Sequence, residues 1–376
     1  MENKIKVCHL ISGYYRNDPR IFQRQCKSLV NGGFEVCILT NDGQPNEVIE
    51  GIKVYATDKY WKNRIKVLLF SKSQFLKKAI EVNADIYQLH SPELLSLGLT
   101  LKKLGKIVIY DSHEDLPSHI LEKEWIPLIF RKPISIFINF YMNRVLKSYN
   151  EIISPHHHVV EKLELINANT TLITNFAKVG SLINYDLSHY LNRENSICYS
   201  GTVYLSSNQE FILEAISNIN NLKYQIVGFI DENYKEQLSE RKGFEKLQFL
   251  GRIPWEELND FYSKSLIGMV IMDYKLNLGY KRGTYAVNKI FEYMEAGLPI
   301  ICTDYDLWKE IIDKYDCGIC VEPNNAKQIE EAIQFLISNK EKAYQMGQNG
   351  RKAVLLEYNW STQEKEYLRI FNKYDK

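Results

Sequence analysis

Two charged residues, Lys289 and Glu292, stand three positions apart in a short predicted helix and have the spacing of a ligand-binding pair. The helix begins near Asn288 and ends at Gly297, ahead of Pro299 and an apolar strand. A lysine in the first turn opposes the positive end of the helix dipole, so a bound phosphate would offset its cost. The two oxygens of Glu292 suit vicinal hydroxyls. The pair therefore indicates a nucleotide, and a solvated i,i+3 ion pair is the alternative.

The elements that must hold this pair alternate along the chain between apolar strands and amphipathic helices. Candidate strands in the first half are 6–11, 34–39, 52–56, 85–89, 107–110, 151–154 and 171–174, and those in the second half are 196–200, 223–227, 247–250, 267–271, 299–302 and 318–321. Helical patterns between them include 19–31, 65–81, 92–104, 134–149 and 157–165. This alternation is typical of parallel sheets covered by helices on both faces.

A polar stretch at residues 182–195 interrupts the pattern, after which it restarts. The length of 376 residues also favours two domains. We therefore expect an α/β fold of two Rossmann-like, doubly wound parallel-sheet domains, residues 1–182 and 183–359, facing across a cleft. A helix near 360–376 is expected to pack back on the first domain. Ligands should bind where the strands reach their carboxyl ends.

Polar residues and glycines follow several of these strands. The loops that carry them begin at Ser12-Gly13, His90-Ser91, Asp111-Ser112, Gly201-Thr202, Gly228-Phe229 and Gly251-Arg252. A polar residue directly after a buried strand is ordinarily a helix cap, and we give that interpretation to Asp111 and Ser91 taken alone. We still expect the ligand-binding and catalytic residues to lie in these loops.

Composition narrows the class of protein. A net charge of +1 argues against a general nucleic-acid binder. The first residues are too short and too polar for a signal peptide, and no run of about eighteen apolar residues predicts a spanning helix. Seven scattered cysteines favour a reducing compartment, so we expect a cytoplasmic protein.

Two short motifs resemble metal sites but have plainer interpretations. Cys317 and Cys320 lack a second pair or nearby histidines, and their alternation fits a strand. Asp304-Tyr305-Asp306 follows a strand and opens a helix, where aspartate is favoured by capping and by the helix dipole. We therefore predict no metal site.

The segment 125–147 is more apolar than a surface helix needs, and basic residues such as Arg131 and Lys132 are interspersed in it. One interpretation is a peripheral contact with an anionic membrane at the inner face of the cell. The other is burial against the first sheet, with the basic residues exposed.

Three features together resemble a known family. They are the two Rossmann-like domains, the strand end Tyr110-Asp111-Ser112-His113-Glu114 and above all the segment from Asn288 to Pro299. They look like the retaining glycosyltransferases of family 4, which have the GT-B fold, and within that family like bacterial enzymes of capsule, O-antigen or exopolysaccharide synthesis. The similarity covers almost the whole chain.

The resemblance implies a UDP- or GDP-sugar donor held mainly by the second domain, with no cofactor. Lys289 would contact the diphosphate and Glu292 the ribose, while His113 matches a histidine that contacts the transferred sugar; a role in filling the loop is its alternative. With His113, Lys289 and Glu292 as catalytic residues, further donor contacts are expected from Gly13, Gly201, Gly228, Arg252, Ile253, Gly283, Thr284 and Asn288. Acceptor contacts are expected from His90, Glu93 and Glu114.

The sequence departs from the family pattern at two places. The family often has a glutamate eight positions before Glu292, where this chain has Thr284. The family's basic pair after the first strand of the second domain is absent, because residues 201–207 contain no Arg or Lys. Diphosphate charge would then rest on Lys289 and helix N-termini, with Lys281 or Arg282 in the preceding loop as a further candidate.

These observations predict an enzyme that moves a sugar from a nucleotide-diphosphate donor to a saccharide or lipid-linked acceptor, with retention of configuration. Two alternatives remain at this point. One is a nucleotide-sugar epimerase or hydrolase, for which Asp111, Glu114 and Asp115 would supply carboxylates. The other is a nucleotide-sugar-binding module without turnover.

Overall fold

The computed structural model describes residues 4–60, 64–123, 125–180, 183–254 and 257–375. The chain divides into two compact units. Unit 1 comprises Met1–Asn175 and Ser361–Lys376, and unit 2 comprises Phe176–Trp360. The first unit thus ends seven residues before the position predicted from the polar stretch. Both units are Rossmann-like α/β domains, as the strand pattern predicted.

Unit 1 is built on a sheet of eight strands in the order β3-β4-β2-β1-β5-β6-β7-β8. The strands are β1 (Lys6–Ile11), β2 (Glu35–Thr40), β3 (Glu47–Ile49), β4 (Ile52–Ala56), β5 (Ile86–Leu89), β6 (Ile107–Asp111), β7 (Glu151–Ser154) and β8 (Thr170–Leu172). All neighbours pair in parallel except β3, which pairs antiparallel with β4 at the edge. The expected parallel sheet is therefore confirmed apart from β3, which the sequence pattern did not reveal.

The helices of unit 1 cover this sheet. They are α1 (Lys27–Asn31), preceded by a π-helical turn over Ile21–Cys26, then α2 (Arg64–Val82), α3 (Leu95–Lys103), α4 (Leu116–Leu121), α5 (Leu128–Leu146) and α6 (His157–Glu164). The region of α4 was expected to be a loop. Helix α5 begins six residues before the predicted position 134, because Pro133 stands in its second turn, where few main-chain bonds are lost.

Unit 2 has six strands in the order β11-β10-β9-β12-β13-β14, all pairing in parallel. The strands are β9 (Ser196–Val203), β10 (Lys223–Ile230), β11 (Leu247–Phe249), β12 (Ile267–Val270), β13 (Ile300–Thr303) and β14 (Gly318–Val321). This is the order of a Rossmann sheet, in which the chain leaves the centre in one direction and then returns to build the other half.

The helices of unit 2 are α7 (Leu187–Leu191), α8 (Gln209–Ser217), α9 (Glu232–Ser239), α10 (Leu258–Ser263), α11 (Asn288–Glu295), α12 (Asp306–Tyr315), α13 (Ala326–Ser338) and α14 (Lys340–Leu356). Helix α11 is the one predicted around Lys289 and Glu292. Its residues Ile290 and Met294 are fully buried, as their spacing predicted. Gly297 ends it with a left-handed φ of +71°, a conformation that costs a residue without Cβ little.

The last helix, α15 (Trp360–Asn372), lies almost entirely in unit 1. Tyr367 donates a hydrogen bond to Gln88 Oε1 at 2.6 Å, and the ring of Phe371 lies 6.0 Å from that of Phe34. It therefore closes part of the core of unit 1. Among the described residues, no helix is both long and apolar enough to cross a bilayer.

Candidate functional site

The predicted site residues form two groups, one at the carboxyl edge of each sheet. In unit 1 the group is a chain of histidines. His9 lies on β1, His90 follows β5 and His113 follows β6, three neighbouring strands. His9 Nδ1 lies 2.9 Å from His90 Nε2, and His90 Nδ1 lies 3.0 Å from His113 Nε2. Parallel pairing thus brings one strand residue and two loop residues into one hydrogen-bonded row.

Asp111 anchors this row. The guanidinium of Arg20 donates to both carboxylate oxygens, from Nη2 at 2.8 Å and from Nε at 2.9 Å, and Gln25 donates at 2.7 Å. His90 and His113 each approach the carboxylate to 3.4 Å. Asp111 is fully buried and lies in no cap, so the capping interpretation was wrong for it. A buried carboxylate with this many donors is a fixed negative charge.

Ser91 also differs from the capping interpretation. Its hydroxyl donates to the Ser12 carbonyl oxygen at 2.8 Å and accepts from the Ser12 N–H at 3.0 Å. It makes no side-chain cap on the short helical turn that it precedes. Ser91 instead ties the loop after β5 to the loop after β1, which holds Gly13 and Tyr14 near the row of histidines. The Tyr14 ring lies 4.8 Å from that of His113.

The direction of hydrogen-bond donation along the row of histidines follows from its first member, His9. His9 Nε2 is buried and has no partner among the described residues. A proton on that nitrogen would leave a buried donor unsatisfied, at a cost of about 1–3 kcal/mol. The proton of His9 therefore lies on Nδ1 and is donated to His90, which in turn donates its Nδ1–H to His113. In its neutral form His113 then carries its proton on Nδ1, where it offers an N–H to a ligand oxygen.

Burial favours the neutral forms of His9 and His90. It lowers the pKa of His90 to about 4 and lowers the pKa of His9 well below its ordinary value. Burial by itself would raise the pKa of Asp111, but Arg20 and the histidines outweigh it and hold that pKa well below the usual range. His156 donates from Nε2 to the His113 carbonyl oxygen at 2.9 Å, and burial lowers the pKa of His156 to about 4.

The three residues expected to contact an acceptor lie in different surroundings. His90 is only 1% exposed, so any effect that it has on a ligand passes through His113. Glu93 is half-buried in the short helical turn after Ser91. Glu114 is exposed and pairs with His119, whose hydrogen bond is the main reason that the pKa of Glu114 is lowered.

The carboxylates of unit 1 are mostly committed to partners. Asp115 accepts from Ser118 N–H at 3.3 Å, as the cap of α4, and also pairs with Lys162. The alternative of an epimerase or hydrolase with carboxylate catalysis is weakened, because Asp111 and Asp115 are held as hydrogen-bonded anions. The ligand atoms of His90, Asp111 and His113 lie within 4.8 Å of one another. Their mutual hydrogen bonds account for that grouping, and the absence of a metal site stays a prediction.

In unit 2 the carboxyl edge of the sheet is formed by glycines and main chain rather than by a row of side chains. Gly201 and Gly228 are paired residues on β9 and β10, and the Gly228 N–H donates to the Gly251 carbonyl oxygen at 2.8 Å. A Cβ at Gly228 would lie 1.9 Å from the Gly201 oxygen, and one at Gly201 would lie 2.8 Å from Lys289 Cε. Main chain therefore requires glycine at position 228, and at position 201 a φ of +116° disfavours any residue with a Cβ.

Lys289 lies against this edge. Its Nζ is 5.1 Å from the centre of the Tyr199 ring, and burial lowers the pKa of Lys289, opposed by the charge of Glu292. The neighbouring Asn288 side chain has a buried oxygen without a partner among the described residues. The N-terminus of α11 has no side-chain cap. A half-buried cation, a helix N-terminus without a side-chain cap and an amide oxygen without a partner among the described residues thus meet at one helix end.

Glu292 is held by residues that the sequence did not indicate. The Tyr262 hydroxyl lies 3.4 Å from Glu292 Oε2 and 2.9 Å from the Ser200 hydroxyl. Tyr293 accepts the Ser200 N–H at 2.8 Å. Ser200 directly precedes Gly201, which is a signal in the sequence, but Tyr262 stands on α10 with no local pattern that marks it.

The residues that depart from the family pattern have structural surroundings of their own. Thr284 is buried, its hydroxyl accepts the Ala286 N–H at 3.1 Å, and its carbonyl oxygen accepts from the indole of Trp308 at 2.8 Å. A Cβ at Gly283 would lie 2.6 Å from that of Tyr305. Gly283 and Thr284 thus pass beneath the aromatic side chains around α12, where a glutamate would have to be buried.

Two further predicted donor contacts lie after β11. The guanidinium of Arg252 is exposed and stands 5.5 Å from the centre of the Phe229 ring, which follows Gly228 on β10. Ile253 packs on the core around α11. Gly13 in unit 1 is exposed and has a φ of +81°. Apart from its chain neighbours, no atom of the described residues lies within 4 Å of the position that a Cβ would take there.

Comparisons with known proteins agree with both units. Residues 189–353 match the family Glycosyl transferases group 1, and residues 20–177 match Glycosyltransferase Family 4. An uncharacterized glycosyltransferase of Methanocaldococcus jannaschii, MJ1069, is 25% identical over 185 residues, which are 47% of this chain and 45% of that protein. The match thus spans somewhat less than half the length of that relative.

Solved structures share the fold over nearly the whole chain. Sucrose-phosphate synthase from Thermosynechococcus elongatus has a TM-score of 0.76 at 16% identity, covering 98% of this chain and 99% of that one. HepE from Anabaena, solved with UDP-glucose, has a TM-score of 0.72 at 12% identity, covering 98% and 100%. Identities this low establish the fold alone. Each unit thus matches one glycosyltransferase domain family, and the fold is the GT-B fold of the solved glycosyltransferases.

Proposed function

We propose that this protein transfers a sugar from a nucleotide-diphosphate donor to a saccharide or lipid-linked acceptor in bacterial polysaccharide synthesis, with retention of configuration. Capsule and O-antigen are the expected classes of product, and a hexose the expected sugar. The observation that carries the proposal is the carboxyl edge of unit 2, where Lys289 lies against Gly201 beside the N-terminus of α11, which has no side-chain cap, and the Asn288 oxygen, which is unpaired within the described part of the chain.

The donor would lie on this edge. The diphosphate would contact Lys289 and the free N–H groups of α11, and the vicinal hydroxyls of the ribose would contact Glu292. Ionic charge on a bound diphosphate would stabilise the protonated form of Lys289, whose pKa burial lowers. The base would lie near Arg252 and Ile253, where Phe229 offers an exposed ring. Because HepE was solved with UDP and UDP-glucose, UDP-sugars are the first donors to test.

The proposed reaction uses no protein side chain as a nucleophile. As the sugar–oxygen bond breaks, Lys289 and the N–H groups would stabilise the charge that develops on the leaving diphosphate. In the retaining route, the acceptor hydroxyl attacks from the face of departure and a diphosphate oxygen takes its proton. His113 would donate its Nδ1–H to a sugar oxygen and hold the reacting sugar in place. No cofactor or metal is needed for these steps.

A binding experiment tests the donor site. Thermal unfolding would be followed with UDP, GDP, ADP and their sugar conjugates, for the wild type, Lys289→Ala and a matched control, Lys327→Ala, which removes an exposed lysine of the same unit. A ligand at a hundred times its dissociation constant stabilises by about 2.7 kcal/mol. We expect one nucleotide series to stabilise the wild type and the control but not Lys289→Ala. Stabilisation of all three would contradict the role of Lys289.

A transfer experiment separates the two groups of site residues. His113→Ala should retain nucleotide binding and lose sugar transfer, because its contact is with the sugar, whereas Lys289→Ala should lose both. Product analysis with donor alone gives the control for the other enzyme class. Free sugar or an isomerised donor in the absence of an acceptor would indicate a hydrolase or epimerase. Binding without transfer to any acceptor would indicate a binding module.

We propose, in addition, that the protein works in the cytoplasm with a peripheral contact at the inner face of the membrane through residues 125–147. What supports this contact is the outer face of α5, on which large apolar side chains and basic residues are exposed together. Flotation with anionic liposomes tests it directly. Charge reversal at Lys132 should weaken binding, and unchanged binding would count against the contact.

A further inference from the structure

Helix α5 has two very different faces. Its inner face contributes Ser135, Met142, Val145 and Leu146 to the interior of unit 1. Its outer face and the residues before it expose large apolar side chains, namely Trp125, Leu128, Ile129, Phe130, Ile136, Phe137 and Phe140. Ile129 is 75% exposed and Phe137 68% exposed. An apolar surface of this extent on one helix marks a site of interaction.

The charges on the same helix point to the kind of partner. Arg131, Lys132 and Arg144 are its charged residues, and no acidic residue occurs between Leu128 and Leu146. Lys132 and Arg144 are exposed, and Lys147 follows at the end of the helix. Apolar side chains together with positive charge, and a tryptophan beside them, suit the interface of a membrane that contains anionic lipid.

A pocket of about 390 Å³ lies beside this surface, between α4, α5 and α6. Ile136 belongs to both, because it lines the pocket and is 60% exposed, and Leu165, which follows α6 and is 90% exposed, also lines the pocket. Ser112 and Glu114, the neighbours of His113 in the sequence, line its other side. The pocket therefore extends from the exposed apolar surface toward the loop that carries His113.

The polar groups in the pocket fit hydroxyls. The side-chain amides of Asn139 and Asn143 line it, and neither makes a hydrogen bond within the described residues. Each amide offers two donors and an acceptor. Asp115 is already bound by Ser118 and Lys162, so it adds little unpaired negative charge. Apolar walls from Leu116, Val159 and other residues complete a site with the mixed character of a sugar-binding pocket.

We propose that this pocket binds the saccharide head of an amphiphilic acceptor whose lipid chain remains in the bilayer that α5 contacts. The head enters past Ile136 and Leu165 and meets Asn139 and Asn143. The role of that saccharide as acceptor rests on the proposed function, and it narrows the acceptor to the lipid-linked class. The binding itself does not depend on transfer.

The surface is tested with vesicles of phosphatidylcholine, with and without phosphatidylglycerol. Wild-type protein should float with the anionic vesicles. Ile129→Ser with Phe137→Ser should reduce the bound fraction about tenfold, and Lys132→Glu should reduce it only for anionic vesicles, by at least about fivefold. Phe335→Ser, which removes an exposed phenylalanine of unit 2, is the matched control and should bind like the wild type. Equal binding by all variants overturns the proposal.

A second copy of this chain or another protein is the competing occupant. Sedimentation of the wild type and of the Ile129→Ser, Phe137→Ser variant decides between them. A dimer that the substitutions dissociate, together with no vesicle binding, would assign the surface to self-association and overturn the proposal. Monomers that bind vesicles would support it.

The pocket is tested with octyl glucoside below its micelle concentration, with glucose and octanol as the two half-ligands. The wild type should bind octyl glucoside more tightly than either, and Asn143→Leu should weaken that binding at least about tenfold while UDP binding is unchanged. Melting temperature and UDP binding show that each variant is folded and that unit 2 is intact. Loss of UDP binding in the wild type would contradict the proposed function alone. Octyl glucoside binding that Asn143→Leu and Asn139→Leu both leave unchanged would overturn the pocket.

Discussion

The two units end their parallel strands in opposite ways. In unit 1 the carboxyl edge is filled by side chains, His9, His90 and His113 in a row with Asp111 beneath them. In unit 2 the same edge carries Gly201 and Gly228, against which main chain and the Lys289 side chain pack closely. The edge of unit 1 is thus a fixed set of hydrogen-bond donors and acceptors, whereas the edge of unit 2 offers a positive charge to an anionic ligand.

The contrast extends to ionisation. Seven of the eight histidines of the chain lie in unit 1, and unit 2 has only His189. The groups around Glu292 are instead tyrosines, and burial raises the pKa of Tyr262 and Tyr293 well above the usual range. Changes of pH near neutrality should therefore act on unit 1, whereas changes of ligand charge should act on unit 2. This division can be tested one unit at a time.

The largest expected effect is a loss of stability in unit 1 under mild acid. An unfolded histidine has a pKa of about 6.5, whereas burial lowers the pKa of His90, His156 and His158 to about 4. Between these values the unfolded chain binds more protons, so the free energy of unfolding falls as the pH falls. Each histidine that stays neutral in the folded protein lowers the free energy of unfolding by about 1.4 kcal/mol for each unit by which the pH falls in this range.

Hydrogen exchange, corrected for the intrinsic rate at each pH, locates this loss. Peptides of unit 1 should lose protection between pH 6.5 and 4, and peptides of unit 2 should serve as the internal control. His158→Asn removes one titrating group and should flatten the dependence in unit 1. An equal loss of protection in both units would show that histidine burial is not its cause.

The next effect concerns the anchor of the histidine row. Arg20→Leu removes the cation that holds Asp111, and an uncompensated buried carboxylate costs about 3–5 kcal/mol. Denaturant unfolding measures the change. The matched control is Lys77→Leu, because Lys77 pairs with Asp58 where both side chains are exposed, and such pairs contribute little to stability. Similar losses for the two variants would mean that the Asp111 network is not a structural centre of unit 1.

The ion pair of Arg20 and Asp111 also shows where prediction from sequence stops. Most strands were placed within a residue or two, because apolar runs and turn residues are local signals. Helix α11 and its end at Gly297 were predicted for the same reason. The contact of Arg20 with Asp111 joins positions 91 apart, and that of Tyr262 with Glu292 joins two helices. No local pattern specifies either, since both depend on how the elements pack.

Missed elements have equally physical causes. Strand β3 has three residues at the edge of the sheet and no buried apolar run. The outer face of α5 carries apolar residues that a buried helix would also have, so the pattern alone left burial and membrane contact as alternatives. Only the structure shows that its inner face is sufficient to pack the helix and that its outer face is exposed.

A smaller effect tests the direction of the histidine row. His9→Leu removes the buried Nε2, whose lack of a partner among the described residues fixes the tautomers. A proton on that nitrogen would cost about 1–3 kcal/mol, and this cost is what holds the row in one direction. The wild type should show His113 protonated on Nδ1 in its neutral form, and the variant should show a mixture of tautomers. Nitrogen-15 chemical shifts of the imidazole rings report this directly. A wild-type His113 with its proton on Nε2 would reverse the row and contradict the assignment.

The smallest effect lies in unit 2, where Tyr262→Phe removes the hydroxyl that lies between Glu292 and Ser200. A hydrogen bond of this kind contributes about 0.5–1.5 kcal/mol, so binding of a nucleotide should weaken about two- to tenfold. Calorimetry with the nucleotide that stabilises the wild type measures the change in affinity.

The corresponding 2′-deoxynucleotide is the sharper control, because it lacks one of the hydroxyls that Glu292 would bind. If Tyr262 acts by positioning Glu292, the substitution should weaken the ribonucleotide but barely affect the deoxynucleotide. Equal weakening of both would assign Tyr262 to the fold of unit 2 and leave Glu292 without a role on the ribose.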